Sequence, residues 1–496
     1  GGQGPRALPL AAAATELGPE QERALRAVLE GRSIFLTGGA GTGKSFVLNL
    51  VLKHARRQRS GPGQVVATAT TALAACQMNG TTIHRFAGIG VGNISKAEAV
   101  AHIQRSKNAL KRWRTVKLLV IDEVSMLDLN LFSLLEYVAR EVRPGNAPFG
   151  GIQVVLAGDF FQLPPVSKGD GRRKQFCFEA EKWEKCIQET IEMRTVYRQK
   201  DAEFIELLNR IRRGHNDDSI MEELLKHKDK GLTGSHGILE TQLLSHKRGV
   251  EKINDDHLSG LEGKPVEFEA VDTFGIGGGG SAMHRQQRQQ RAQRLLEEAC
   301  PARRRLQLKP GAQVILLKTL NLGQGLVNGA RGVVTGLLPE EKKVQVKFLS
   351  GNEVKIGYQK WNILNESQQT LCSREQIPLQ LGWAISIHKS QGMSLDFVAV
   401  SLANIFEYGQ AYVALSRART LDGLSIIGNF SSDCIRAHPR VLEFYNDGAA
   451  AAASISSPCG SESFGEENLS GNFLDQKFSG GSGAGLSCEK NIHGRN

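Results

Sequence analysis

Eight consecutive residues, Gly38-Gly39-Ala40-Gly41-Thr42-Gly43-Lys44-Ser45, carry the clearest chemical signal in the chain. The apolar run SIFLTG leads into them and FVLNLVL, apolar at helical spacing, leads out, so this G-x-x-x-x-G-K-S joins a strand to a helix. Its glycines let backbone N–H groups turn inward around a β-phosphate, and the helix N-terminus adds partial positive charge there. Lys44 supplies a full charge to the β- and γ-phosphates, and Ser45 offers a hydroxyl to magnesium. Such a loop takes a nucleoside triphosphate. It does not say what is done with it.

Further along, Lys117–Met126 reads KLLVIDEVSM, a buried strand of four apolar residues ending in Asp122-Glu123. Asp122 is then the magnesium partner, and Glu123 the base that orients or deprotonates an attacking water. A Glu beside the Asp points to hydrolysis: small-molecule kinases need a bound acceptor, and the N-K-x-D base-reading motif of GTPases is absent. Another strand, IQVVLAGD, leads into Phe160-Phe161-Gln162-Leu163-Pro164-Pro165, where Gln162 can sense the γ-phosphate and two prolines stiffen the exit. Much later, QAYVALSRART places Arg417 and Arg419 after a short apolar run, and MRTVYRQKD supplies Arg198. Arginines of a second α/β unit that reach the phosphate loop of the first would couple hydrolysis to closure of the two.

Positioning these groups calls for two parallel α/β sheets. Short apolar runs alternating with helix-period stretches predict the first over 15–191. The second covers 192–274 and resumes at 373–447, where FVAVSLA and LSIIGN read as buried strands. Between its halves, 306–372 carries short alternating strands (AQVILLK, GVVTGL, KVQVKFL, EVKI) with turns at Asn328-Gly329 and Gly351-Asn352, which predicts a small inserted antiparallel barrel. Residues 275–305, a Gly tract followed by an Arg/Gln-rich stretch, read as a flexible basic insert, either a solvated surface loop or helix or an auxiliary nucleic-acid arm. Residues 1–14 read as a flexible segment and 448–496 as a disordered Gly/Ser-rich tail.

Composition narrows the partners. A chain of 496 residues that is 40% hydrophobic has real cores, and no apolar run approaches the roughly 18–20 residues of a membrane span, so a soluble protein without a membrane partner is expected. Eight cysteines with no C-x-x-C pair and no His at zinc spacing argue against a disulfide scaffold or structural zinc, and fit a reducing compartment. Lys plus Arg outnumber Asp plus Glu by 62 to 51, a net charge of +11 that favours a polyanionic partner. The chain opens at Gly1 without a methionine, as a fragment or processed form would.

The ordered series GGAGTGKS, VATATTALAA, GTTIHRFAGIG, LLVIDEVSM, GDFFQLPPV, VYRQ, LGWAISIHKSQGMSLD and AYVALSRAR resembles the successive motifs of superfamily 1 helicases. More closely, it resembles the eukaryotic type of the PIF (petite integration frequency) family in superfamily 1B, from about Leu17 to Tyr445. LLEYVAREVRPGNAPFGGIQ and LVNGARG add to that likeness, while the 275–305 stretch looks longer and more Arg/Gln-rich than the family's usual connection.

The resemblance implies two RecA-like domains carrying an SH3-like barrel, with a small insertion in the first domain at about 87–113 and with ATP and Mg²⁺ as cofactors. Gln21 matches the glutamine that reads adenine, and Lys44, Ser45, Asp122, Glu123 and Gln162 match the catalytic core of the first domain. Arg198 and Arg417 match the arginines delivered by the second. Thr70, Thr71, His84 and Phe86, with His388, Lys389, Ser390, Gln391, Gln410 and Arg419, fall in motifs that touch single-stranded DNA in such helicases. Hydroxyls and a lysine suit phosphate oxygens, and an aromatic ring stacks on any base. The implied activity is 5′-to-3′ unwinding of duplex, forked or structured DNA in genome maintenance, by a monomer able to dimerise on DNA, in nucleus and/or mitochondrion. Two other readings stay open: a translocase that unwinds poorly, and a binding module whose ATPase has decayed, against which the intact catalytic residues argue. A RecD-type bacterial helicase is the nearest family alternative.

Overall fold

A computed structural model of the chain describes residues 17–59, 61–89, 94–165, 175–234, 237–275, 282–321, 323–364 and 370–456. The flexible segment expected at 1–14, the part of the Gly tract at 276–281 and the tail from 457 lie outside the described residues. The chain divides into two compact units, 1–444 and 445–496. The described part of the second is the end of the helix Pro439–Ser456, so 448–456, expected to be disordered, are helical.

The first sheet is built from β1 (Ile34–Gly38), β2 (Val65–Ala69), β3 (Thr81–Thr82), β4 (Leu118–Asp122), β5 (Gln153–Ala157) and β6 (Glu189–Met193). They lie parallel in the order β3-β2-β4-β5-β1-β6. β1, β2, β4 and β5 are buried along their whole length, as expected where helices cover both faces of a parallel sheet. β6 carries the sheet to Met193, two residues beyond the boundary expected at 191. At the expected small insertion stand two helices, Lys96–Arg105 and Lys107–Thr115, whose Ala99, Ile103, Ala109 and Trp113 are buried.

The second α/β region opens with β7 (Thr241–Leu244). An antiparallel region follows: β8 (Val266–Glu269), β9 (Val271–Phe274), β10 (Arg305–Leu308), β11 (Gln313–Leu316), β12 (Arg331–Leu338), β13 (Lys343–Phe348), β14 (Glu353–Gly357), β15 (Gln359–Leu364), β16 (Thr370–Gln376) and β17 (Leu379–Leu381). β18 (Ala384–Ser386), β19 (Val398–Ser401) and β20 (Leu424–Ile427) then return to β7, forming a parallel sheet in the order β18-β7-β19-β20.

The antiparallel region differs from the barrel predicted over 306–372. It begins forty residues earlier, because β8 pairs with β10 and β9 with β16, and it extends to β17. Its largest sheet runs β14-β13-β12-β11-β17, and among the described residues no ladder closes the two edge strands on each other. A basic insert that read as flexible contains, over Ala282–Ala299, an 18-residue helix. Ala292 and Leu296 of this helix bury against Ile363 and Cys372, and the Cys76 thiol meets the Ala299 carbonyl at 3.5 Å. Ala292 and Leu296 stand one helical turn apart and so share the buried face, with Ala299 packed partly buried beside them.

Candidate nucleotide and nucleic-acid site

The helix Lys44–Gln58 forms because Val47, Leu48, Val51, Leu52 and Ala55 fall on one face and enter the core beneath β1. Gly43 caps it at φ 85°, a left-handed conformation that a side chain would strain. The loop is also crowded: a Cβ on Gly41 would lie 2.5 Å from the Arg198 Cβ. Lys44 Nζ donates to the Gly38 and Gly39 carbonyls at 2.6 and 2.9 Å, and burial lowers its pKa against the pull of Asp159 and Glu123. Gln21 is buried beside this loop, its Oε1 accepting the Gly18 N–H at 3.1 Å and its Nε2 lying next to Gly43.

At the carboxyl end of β4, Asp122 is buried and its Oδ1 accepts the Glu123 N–H at 2.9 Å. Glu123 adopts φ 55°, ψ 45°, uncommon for a non-glycine residue, and the Thr70 hydroxyl holds its carbonyl at 2.7 Å. Burial raises the pKa of both carboxyls; Glu123, further raised by Asp122 and opposed by Lys44 and Arg417, reaches about 7. Two acids this deep favour a cation between them and the phosphate loop. Ser45, Asp122 and Glu123 open onto one cavity of about 330 Å³, an all-oxygen donor set of the kind a hard divalent ion prefers.

Arginines of the second α/β region reach the same cleft. Arg417, 2% exposed, donates Nε to the Val413 carbonyl at 2.8 Å and Nη2 to the Ser416 hydroxyl at 2.8 Å. Arg198 donates Nη1 to the Ser416 carbonyl at 3.0 Å, and the Tyr197 N–H reaches the Gly41 carbonyl at 2.9 Å. Burial pushes Arg198 down to about 9, with Arg417 adding to the shift, and burial pushes Arg417 down to about 10. Neither makes an ion pair with a carboxylate among the described residues, and short of solvent both guanidiniums gain from an arriving polyphosphate. The Tyr412 hydroxyl accepts the Ala40 N–H at 2.7 Å, a direct fastening of the helix Gln410–Leu415 to the phosphate loop.

The residues expected to touch DNA divide. Thr71, His388, Lys389 and Gln391 line the cavity that holds Ser45, Asp122 and Glu123, so the two acids and four of the residues expected to meet the strand face one space. His84 sits half-buried on the short helix Ile83–Ala87, and Arg419 pairs at the surface with Asp396 at 3.3 Å. Phe86 offers no face to a base: it is 1% exposed and packs on Trp113 with ring centroids 5.0 Å apart. Ser390 and Gln410 are fully buried, Ser390 donating its hydroxyl to the Ile387 carbonyl and Gln410 accepting the Phe406 and Glu407 N–H groups. They shape the loops that carry their neighbours.

Several residues at the cleft escaped the reading of the sequence. Tyr412 lies inside AYVALSRAR and Tyr197 and Gln199 flank Arg198, so nearness to a motif was the available signal. Asp159 and Arg212 form a buried ion pair at 2.8 Å. Arg212 stands in RIRRG at a helix end, which reads as a solvated basic terminus; no local pattern marks it.

Comparison with known proteins agrees with this geometry. The pattern of PIF1-like helicases matches residues 16–222, and that of the DNA helicase Pif1 2B domain matches 294–337. The chain is 45% identical over 434 residues to the ATP-dependent DNA helicase PIF1 of Homo sapiens, covering 87% of this chain and 63% of the relative. It is 35% identical to the ATP-dependent DNA helicase RRM3 of Saccharomyces cerevisiae, covering 86% and 67%. Among solved structures, the Pif1 helicase from Candida albicans superposes with a TM-score of 0.68 at 36% identity, over 87% of this chain and 99% of that one. Bacteroides sp Pif1 in complex with ADP-AlF4 gives 0.74 at 28% identity, over 88% and 98%. The chain spans a little under two thirds of the length of the human relative.

Proposed function

This chain belongs to the PIF1-like helicase family, and from that premise we propose that it is an ATP-dependent DNA helicase that moves 5′ to 3′ on single-stranded DNA. One observation carries the reading: beside Asp122, the buried Glu123 feels the charges of both Lys44 from the first α/β region and Arg417 from the second, while Tyr412 of the second fastens to the phosphate loop at 2.7 Å. Hydrolysis at such a cleft is felt by both regions.

Gln21 reads the adenine, the loop from Gly38 to Gly43 cradles the phosphates, and Lys44 leaves its two carbonyls for the β- and γ-phosphates. Ser45 and Asp122 hold a magnesium ion, which when bound neutralises charge on the phosphates. Glu123 takes a proton from the attacking water, and Gln162 senses the γ-phosphate. Arg198 and Arg417 turn from the Ser416 neighbourhood to the transferring phosphoryl group, and the cleft closes. Strand contacts come from Thr71, His84, His388, Lys389, Gln391 and Arg419, with Thr70 linking that face to the Glu123 carbonyl.

The substrates are single-stranded, forked or structured DNA in genome maintenance, in the nucleus and/or the mitochondrion. A monomer suffices for the chemistry, with two copies meeting on a fork; a similar solved structure concerns DNA unwinding at forked duplex by two coordinating Pif1 helicases. The test compares duplexes bearing a 5′ or a 3′ single-stranded tail, with ATP and Mg²⁺. Unwinding from the 5′ tail and little from the 3′ tail is expected. Equal or greater activity on the 3′ tail overturns the polarity, and none on either favours a translocase.

A further inference from the structure

The loop after β5 carries Gln162, and the second α/β region grips that loop at three places. Arg212, at the end of the helix Ala202–Arg212, donates Nε to both Asp159 oxygens at 3.2 and 3.0 Å and Nη2 to Oδ1 at 2.8 Å. Its guanidinium lies 4.6 Å over the Phe161 ring. Gly409, at φ +70°, backs so closely onto the loop that a Cβ there would come within 2.2 Å of the Phe161 carbonyl oxygen and 2.7 Å of the Gln162 one. Leu163 buries among Phe204, Leu207 and Leu208 of the second region's core.

Asp159 also holds the loop itself. Its Oδ1 accepts the Phe161 N–H at 3.2 Å, and its Oδ2 accepts Gln162 Nε2 at 3.3 Å. Both partners of the ion pair are nearly sealed from water, Asp159 at 0% and Arg212 at 6% exposure, so parting them would strand a buried charge. The arginine also lies beside the nucleotide loop: a Cβ on Gly39 would be 3.8 Å from its Cδ. Two residues earlier, Arg210 makes an ordinary surface pair with Asp217, half-exposed, which shows how differently Arg212 is used.

We infer that Arg212 is a positioning residue for ATP hydrolysis: through Asp159 it sets where the Gln162 carboxamide points, and so ties γ-phosphate sensing to the placement of the second α/β region. The inference rests on the ATPase reading of the cleft. The Gln162 contact is the longest that Asp159 makes, so the amide can exchange that oxygen for a phosphate oxygen while Arg212 and Asp159 stay joined. A lysine in place of Arg212 keeps the charge but cannot span both carboxylate oxygens.

The test is a double-mutant cycle of Arg212→Lys and Gln162→Ala, read as DNA-stimulated ATPase. Each single change should lower kcat about tenfold with KM for ATP within about twofold, and the double should be no slower than the worse single, because the two act as one unit. A double slower by about a hundredfold, the product of independent losses, or an Arg212→Lys chain with normal kcat, overturns the inference. Should Arg212→Lys not fold, Asp159→Asn enters the same cycle with the same outcomes. A native chain that shows no DNA-stimulated ATPase would sink the helicase reading, whereas an active native chain with independent losses sinks this inference alone.

Discussion

The Arg198 guanidinium donates to the carbonyl of Ser416 at 3.0 Å, and Arg417 donates to the hydroxyl of the same serine at 2.8 Å. Two cations more than two hundred residues apart in sequence thus converge on one helix end, held there by neutral oxygens.

Each should matter in the transition state and little before it. Arg417→Ala is expected to lower kcat for ATP by about 10³-fold or more, as loss of an arginine finger does, with DNA and ATP binding close to normal. Arg198→Ala should act in the same direction. Single-turnover ATPase beside equilibrium nucleotide binding separates the two effects; a rise in Kd with unchanged kcat would show the arginines to be binding groups.

Glu123 should write its pKa into the pH profile. Below about 7 it is protonated in the free protein and cannot serve as base, so kcat/KM for ATP should climb about tenfold per pH unit and flatten above. Stability follows the opposite course. A carboxyl whose folded value lies above its ordinary 4.5 binds its proton more tightly when folded, so the folded state loses stability as pH rises from 4.5 to about 7. Glu123→Gln should therefore abolish hydrolysis yet raise Tm at about pH 8 while leaving it nearly unchanged at about pH 4. A Tm gain equal at both pH values would contradict the burial argument.

Phe86→Ala should cost stability and spare DNA. Removing a ring that is 1% exposed and packed on Trp113 leaves a cavity, worth about 3–5 kcal/mol. Urea melts and DNA titrations of the folded chain decide the matter: a loss of affinity without loss of stability would return Phe86 to the strand path.

Binding to single strands through about five phosphate contacts gives a slope of log K against log salt near −3.5, at roughly −0.7 per contact. Arg291 and Arg294 are exposed on the helix Ala282–Ala299. If that helix is a nucleic-acid arm, replacing both by Ala flattens the slope by about 1.4. An unchanged slope would make the helix a scaffold whose end, at Glu297, Glu298 and Ala299, lines the cavity.

Chemistry that depends on neighbours in the chain is legible in the sequence alone. Gly38 to Ser45 form their cradle from consecutive backbone N–H groups, and Asp122-Glu123 stand where they do because four apolar residues ahead of them make a buried strand. Alternation and turn residues likewise reveal the parallel sheets and the antiparallel insertion, though not that β8 and β9 belong to the latter. What only the tertiary structure decided is which side chains face the cleft and which face the core. Phe86 and Gln410 lie in segments expected to meet DNA yet point inward, since a short helix or turn gives no periodicity from which to read a buried face. Asp159 and Arg212 are 53 residues apart, and their pairing exists only because two sheets bring a loop and a helix end together where water cannot reach. Burial at that point turns an arginine that reads as a solvated helix terminus into a partner the carboxylate cannot release, and no local pattern of residues carries that information.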